Sequence, residues 1–189
     1  MKTSYALLAA AVVLAPLAVP VAANAAEKRM VTFDSVSPDA RRLTGAGLTF
    51  VFTKSPLRAP KVLAVRATAV PVGVIPKPSR DPAINRQLDA LMGPDGGRGE
   101  LFEIDPAEEQ GKVMIRAFCP GSTRGWLAVS DLTSHQGLKV YAFGDTPEGG
   151  LRVCAKMEFA FKGEWRMPSV PGIDPTSVVF RPNYGYPGS

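Results

Sequence analysis

The chain has 189 residues, of which 46% are hydrophobic and 21% are charged, with a formal net charge of +5 at pH 7. That length suffices for one domain with a single adequate core. The positive residues are dispersed and interleaved with acidic ones, whereas a nucleic-acid-binding surface needs a concentrated basic stripe. The composition therefore argues against a nucleic-acid partner.

The N-terminus has the three parts of a secretory signal peptide. Lys2 gives a short positive start, an apolar run extends from Tyr5 to Ala23, and the run ends in Ala23-Asn24-Ala25. An uncleaved membrane anchor is the rival interpretation, but the run is barely long enough to span a bilayer. We expect cleavage near Ala25, which removes residues 1–25 and leaves a periplasmic or secreted protein. No later stretch is long and apolar enough to predict a transmembrane segment.

Two cysteines, Cys119 and Cys154, remain after cleavage. In an oxidising compartment the default is that they pair, so we predict a disulfide. A redox-active pair is the alternative, but it usually has C-x-x-C spacing. Strand alternation puts Cys154 among charged residues on the polar face of its strand. The disulfide therefore requires that Cys119 turn to the same face, or that another element cover that face.

Strand patterns dominate the chain between the leader and the C-terminal region. The clearest is Leu151 to Lys162, where alternate residues from Leu151 to Phe161 are apolar and the intervening ones are mainly charged. Short turns between such segments predict hairpins and an antiparallel sheet. The expected fold is mainly β, with α+β as an alternative: an antiparallel β-sandwich or a curled sheet. Strands are expected at about 30–33, 48–53, 61–70, 101–104, 112–119, 126–131, 138–143 and 151–162.

One packed helix is predicted, from Asp81 to Met92. Asp81 suits the N-cap, Pro82 suits the first helical position, and Gly93-Pro94 ends the helix. Its narrow apolar stripe should dock on the sheet. A turn or a single helical turn is expected at Ser37–Asp39, and one helical turn is expected from Asp105 to Glu109.

The C-terminal region, 167–189, has a different composition from the rest of the chain. It is rich in proline and glycine, which favours extended or irregular backbone over regular structure. Val178–Phe180 is the one patch in it that suits an edge strand. The predicted organisation is therefore a leader at 1–25, one β-rich domain at 26–166, and an irregular tail at 167–189.

Few residues suit catalysis or metal binding. His135 is the only histidine, which excludes a His-rich zinc site, and two bonded cysteines exclude a thiolate site. A Ser-His-Asp triad depends on His135, whose neighbouring serines and aspartate are too close in sequence to supply both partners. We therefore predict no catalytic residue, no bound metal and no cofactor.

A cluster of acidic residues is one weaker lead. Glu100, Glu103 and Asp105 are the candidate acids for a carboxylate-dependent hydrolase, because two carboxylates at suitable separation hydrolyse glycosidic bonds. Such a site requires the acids to converge in a cleft with a raised pKa. A solvated acidic edge is the simpler interpretation, and the pattern favours it.

Three aromatic residues are the other lead. Trp126, Tyr141 and Trp165 lie in or beside the strands that the disulfide links. If exposed in a row, such rings bind sugar faces or peptides; if buried, they fill the core. Trp126 leads directly into apolar residues, which favours burial.

We expect a non-enzymatic binding or accessory protein of the bacterial cell envelope, with an envelope protein or a cell-wall polymer as partner. The first alternative is a hydrolase of cell-wall glycan or peptide that uses the acids above. The second is a periplasmic inhibitor of a secreted enzyme, which presents the rigid turn Pro120–Gly125 beside Cys119.

Overall fold

The computed structural model describes residues 27–55, 58–68, 74–94 and 99–167. The expected leader, nearly all of the expected tail and the Val178–Phe180 patch lie outside these ranges. Met167, the first residue of the expected tail, is described, and its backbone N–H donates to the carbonyl oxygen of Lys28 at 3.0 Å.

Eight antiparallel strands form one sheet, in the spatial order β3-β2-β1-β8-β7-β6-β5-β4. The sheet curls until its edges meet, where Val65 of β3 and Val74, just before β4, exchange two backbone hydrogen bonds of 2.8 Å. The result is a nearly closed barrel. The mainly-β prediction is confirmed, and of its two forms the curled sheet is observed, while a two-sheet sandwich is not. The strands are β1 Glu27–Ser35, β2 Gly47–Ser55, β3 Arg58–Ala67, β4 Pro76–Pro78, β5 Glu100–Ile104, β6 Gly125–Val129, β7 Leu138–Asp145 and β8 Leu151–Arg166.

Three helices lie among the described residues: α1 Pro38–Thr44, α2 Pro82–Met92 and α3 Glu109–Phe118. None of these is long and apolar enough to cross a membrane. The predicted helix is α2. As expected, the Asp81 carboxylate caps it by accepting from the backbone N–H of Ala83 at 2.8 Å, and Pro82 begins it. The prediction of one packed helix was therefore right about α2 but incomplete.

The expectation of a strand at 112–119 is wrong, because this segment lies mostly in α3. Met114, Ile115 and Phe118 are buried while Val113 is exposed, which is the spacing of one helical face. The alternating apolar residues of so short a run also fit a strand, so the pattern alone was ambiguous. Gly111 fixes the position of the helix, because a Cβ there would collide with the carbonyl group of Asp105.

Side chains fill the interior of the barrel. Alternate residues of seven strands face inward and form one core with residues of α1 and α3. Phe33 packs edge-to-face on Phe50, with 6.3 Å between ring centroids. Because side chains pack this interior, a ligand site has to lie at the surface or where the edges of β3 and β4 meet. The largest fully buried members of this core are Phe33, Phe50, Phe52, Leu48, Ile104, Met114, Leu127, Leu138 and Met157.

A second, smaller core lies on the outer face of the sheet. Leu88 and Met92 of α2 pack with Trp126 of β6 and with Tyr141 and Phe143 of β7. The two β7 rings stack with 6.3 Å between centroids. The expectation that α2 docks on the sheet is confirmed, and the helix covers this part of the outer face.

A β-bulge explains how the disulfide forms. In the β7–β8 pair, Ala142 opposes Ala155 and Phe143 opposes Val153, so Cys154 is the extra residue. The bulge shifts the alternation by one position: Val153 joins the outer core, whereas Ala155 joins the interior. The single apolar face expected from Leu151 to Phe161 is therefore wrong.

The disulfide joins Cys119, which follows the last residue of α3, to Cys154 in this bulge, with 5.2 Å between Cα atoms. The predicted bond is confirmed. The surroundings are tight, because a Cβ on Gly144 would collide with the side chains of Ser122 and Cys119. The bond thus links the end of a core helix to the middle of the sheet.

Replacing both cysteines, as Cys119→Ser with Cys154→Ser, should lower the free energy of unfolding by about 3 to 4 kcal/mol, because the bond closes a loop of some 35 residues in the unfolded chain. Urea unfolding followed by circular dichroism measures this difference. The reduced wild-type protein is the control and should match the double variant. Equal stability of the oxidised wild type and the variant would contradict the role given to the bond.

Candidate functional site

The two edges of the sheet diverge beside the Val65–Val74 bridge and leave a cleft of about 690 Å³ between β3 and the β4–β5 pair. We call it the seam cleft. This volume lies within the range of about 300 to 1,000 Å³ typical of small-molecule sites. The cleft exists because the barrel closes at one bridge rather than along a full pair of strands.

The seam cleft is lined mainly by apolar side chains. Val62 and Phe102 are buried and belong to the interior core, so the cleft reaches the core. Ile75, at 42% exposure, and the half-buried Leu63 form its more open part. Apolar surface that meets water in a concave site favours an apolar ligand, since binding removes that surface from water.

Proline removes hydrogen-bond donors from one edge of the cleft. Strand β4 is Pro76-Lys77-Pro78, and its pairing with β5 continues at Ser79, whose N–H donates to the carbonyl of Leu101. The alternation of an antiparallel pair therefore turns the backbone nitrogens of Pro76 and Pro78 toward the seam. Neither carries a hydrogen, so β4 presents a blunted edge.

The polar residues that line the cleft are mainly basic: Lys61, Lys77 and Arg80, with Glu100 as one acid. Lys77 is held by Asp105, with 2.5 Å between Nζ and Oδ2, and this hydrogen bond raises the pKa of Lys77. Within the described part of the chain, Lys61 and Arg80 form no ion pair. The cleft thus has a positive rim with two cations available to a ligand.

Glu100 differs from the other acids of the candidate cluster. Partial burial raises the pKa of its carboxyl group, and the nearby Asp131 raises it further. Its alternation with Phe102 on β5 places it on the inward face, where it lines the cleft. Of the three candidate acids, Glu100 is therefore the one that lines the cleft.

The other two candidate acids are engaged elsewhere. Glu103 forms an ion pair with Arg124 at 2.8 Å. Asp105 pairs with Lys77, and hydrogen bonds from Lys77 and from the backbone N–H of Ala107 lower the pKa of Asp105. The structure does not bring all three carboxylates into one cleft.

The three candidate aromatic residues are also divided. Trp126 and Tyr141 lie together in the outer core, at 1% and 6% exposure, beneath α2. Arg124 lies over the Trp126 ring, 4.7 Å from the centroid. Trp165 is 44% exposed, packs over Gly163 and belongs to neither core. These rings form no common binding row.

A charged network at the opposite end of β8 from the disulfide was not anticipated from the sequence. We call it the barrel-mouth network. Its centre is Glu164, at 10% exposure, which accepts from Arg29 at 3.1 Å and lies 2.6 Å from Nε2 of His135 and 3.7 Å from Nζ of Lys54. His135 also packs on the ring of Phe161. Burial pushes the pKa of Glu164 upward, but the hydrogen bond from His135 and the charges of Lys54 and Arg29 outweigh it and leave that pKa lowered.

Arg29 also pairs with Glu27 at 2.7 Å, so the charged groups of this network are paired with one another and stabilise the barrel rather than form a vacant site. A second bulge creates the network. Phe33 opposes Phe161 and Thr32 opposes Gly163, so Lys162 is extra and the next residues of β8 change face.

Among the described residues, no group of three or more metal-ligating side chains is found.

Comparison with protein-family models, with curated proteins and with solved structures gave no match to this chain.

Glu164→Gln should lower the free energy of unfolding at pH 7 by about 1 to 3 kcal/mol, because it removes the charge that Arg29, Lys54 and His135 share. The lowered pKa means that ionised Glu164 stabilises the fold above about pH 4.5, and that this contribution is lost as the pH falls through the folded-state pKa.

The measurement is urea unfolding between pH 3 and pH 7, in which the wild type should lose stability more steeply on acidification than Glu164→Gln. The matched control is Glu158→Gln, an exposed carboxylate on the same strand. Parallel pH profiles for wild type and Glu164→Gln would contradict this assignment.

Proposed function

We propose that the protein is an exported, non-enzymatic binding protein of the bacterial cell envelope, and that its ligand occupies the seam cleft. The observation that carries the proposal is the cleft itself: about 690 Å³, apolar in lining, with polar groups at its rim. Val62 and Phe102, which line this cleft, belong to the packed interior of the barrel, so a ligand bound here contacts the core.

Binding is favoured over hydrolysis by the state of the acids. A carboxylate-dependent hydrolase needs two carboxyl groups that face one substrate bond. Glu103 and Asp105 are occupied by Arg124 and Lys77, and Glu100 is the acid that lines the cleft. His135 is held by Glu164 in the barrel-mouth network.

The envelope location is supported by two features. The first 25 residues have the pattern of a cleavable leader. The Cys119–Cys154 disulfide is typical of proteins that fold outside the reducing cytoplasm. Together they support a periplasmic or secreted protein.

An inhibitor of a secreted enzyme is a second candidate, because the turn Pro120–Gly125 is held rigidly. The Asp145 carboxylate accepts from the backbone N–H groups of Thr123 at 2.7 Å and Arg124 at 2.9 Å, and the disulfide fixes the start of the turn. Pre-organised exposed loops bind enzymes with little ordering cost. This candidate predicts that the protein inhibits an envelope protease or lysozyme. It would be favoured if Thr123→Arg abolished the inhibition while the seam cleft still bound its ligand.

The neutral apolar dye N-phenyl-1-naphthylamine should bind the purified mature protein and gain fluorescence. Ile75→Trp should weaken this binding at least tenfold, because a larger side chain at this exposed wall position fills the cleft. Dye titration followed by visible fluorescence measures the dissociation constant.

Val113→Trp is the matched control. Val113 is as exposed as Ile75, at 43%, but lies on α3 and does not line the cleft. Thermal unfolding should show both variants folded. Absence of dye binding to the wild type, or equal binding to both variants, would overturn the proposed site.

A further inference from the structure

The seam cleft has the chemistry of a site for one class of ligand, and this inference rests on the proposed function. We propose that the cleft binds a single-chain amphiphile with an anionic head, as a monomer, with its chain against the apolar floor and its head between Lys61 and Arg80.

The apolar floor accounts for the chain of the ligand. Val62 and Phe102 extend the interior core outward, and Ile75 and Leu63 continue the same surface toward solvent. An alkyl chain laid along these four residues removes a strip of apolar surface from water on both partners. A wholly polar ligand gains nothing from this floor.

The proline edge argues against a peptide. An open sheet edge normally binds an extended peptide through backbone hydrogen bonds. Here Pro76 and Pro78 direct nitrogens without hydrogens into the seam, and Pro60 lines the facing side. A peptide strand laid against β4 therefore lacks the donors that pair its carbonyl groups, whereas an alkyl chain needs none.

The rim accounts for the sign of the head. Of the three cations that line the cleft, Lys77 is neutralised by Asp105, whereas Lys61 and Arg80 form no ion pair in the described residues. Arg80 suits a bidentate contact with an oxyanion, and Lys61 adds a point charge. A cationic head would bring a third like charge to this rim.

Glu100 opposes the anionic head and so limits its affinity. Its carboxyl group lines the same cleft and is anionic when ionised. The neighbouring charges are Asp131 from the β6–β7 loop, Lys61 from β3 and Arg80 before α2. Replacing Glu100 by glutamine removes this repulsion without changing the size of the side chain.

The test compares three ten-carbon ligands that displace N-phenyl-1-naphthylamine from the disulfide-bonded mature protein, all below their micelle concentrations. Decanesulfonate should displace the dye at concentrations at least tenfold lower than decyltrimethylammonium, with neutral decyl maltoside between them. Glu100→Gln should bind decanesulfonate several-fold more tightly than the wild type does.

Lys61→Glu with Arg80→Glu should reverse the order of decanesulfonate and decyltrimethylammonium. The matched control is Lys139→Glu with Arg116→Glu, which changes net charge equally at exposed positions outside the cleft. The control should keep the wild-type order, and thermal unfolding should show that both double variants are folded.

The failures are distinguishable. If the dye does not bind, the proposed function and this inference both fall. If the dye binds but the three ligands displace it equally, or the Lys61/Arg80 variant keeps the wild-type order, the inference falls and the binding function stands. The protein could instead sediment with phosphatidylglycerol vesicles, equally well as wild type and as Ile75→Trp, while the monomeric ligands fail to displace the dye. That result would indicate binding to a membrane surface and would overturn the inference.

Discussion

The structure depends on the pairing of Val65 with Val74, through which a single curled sheet meets itself. Two hydrogen bonds at this point hold the edges of β3 and β4 together, and beyond it the edges separate. A fully paired closure would extend the hydrogen-bond ladder through the seam, whereas an open sheet would leave the edges of both β3 and β4 unpaired. Closure at one point leaves the barrel core covered and the seam accessible.

Two bulges in β8 determine what faces the interior. Cys154 is the extra residue of the first and Lys162 of the second, and each shifts the alternation of the strand by one position. The first brings a cysteine to the end of α3. The second turns Glu164 toward Arg29 and Lys54. One strand thereby contributes to the outer core, the inner core, the disulfide and the charged network.

Much of the fold was accessible from local patterns. The capping and stop residues of α2 identify that helix, and alternation identifies most strands, because these features depend on neighbours in sequence. The segment 112–119 also fits a strand, because Val113, Ile115 and Ala117 alternate with their neighbours, and the packing that selects the helix is not visible in so short a run. The face of Cys154 could not be predicted, since a bulge depends on the register with β7.

The site was much less accessible. Lys61, Ile75 and Arg80 are unremarkable in sequence and converge only because the sheet curls and brings β3 to β4. The candidate acids are close together in sequence, but Glu100 and Glu103 lie on opposite faces of β5, so the structure separates them. Acidic residues that are close in sequence therefore need not be close in a barrel. The partners of Glu164, which are Arg29, Lys54 and His135, lie on three other segments for the same reason.

The position of β1 between β2 and β8 has a kinetic consequence. Its pairing with β2 is local, but its other neighbour is β8, the last strand of the described residues, and Arg29 bonds Glu164 across 135 residues of chain. Such non-local pairing gives a high contact order, and loop-closure entropy has to be overcome before the contact forms. Assembly of the barrel therefore waits for synthesis of β8, the strand that pairs with both β1 and β7.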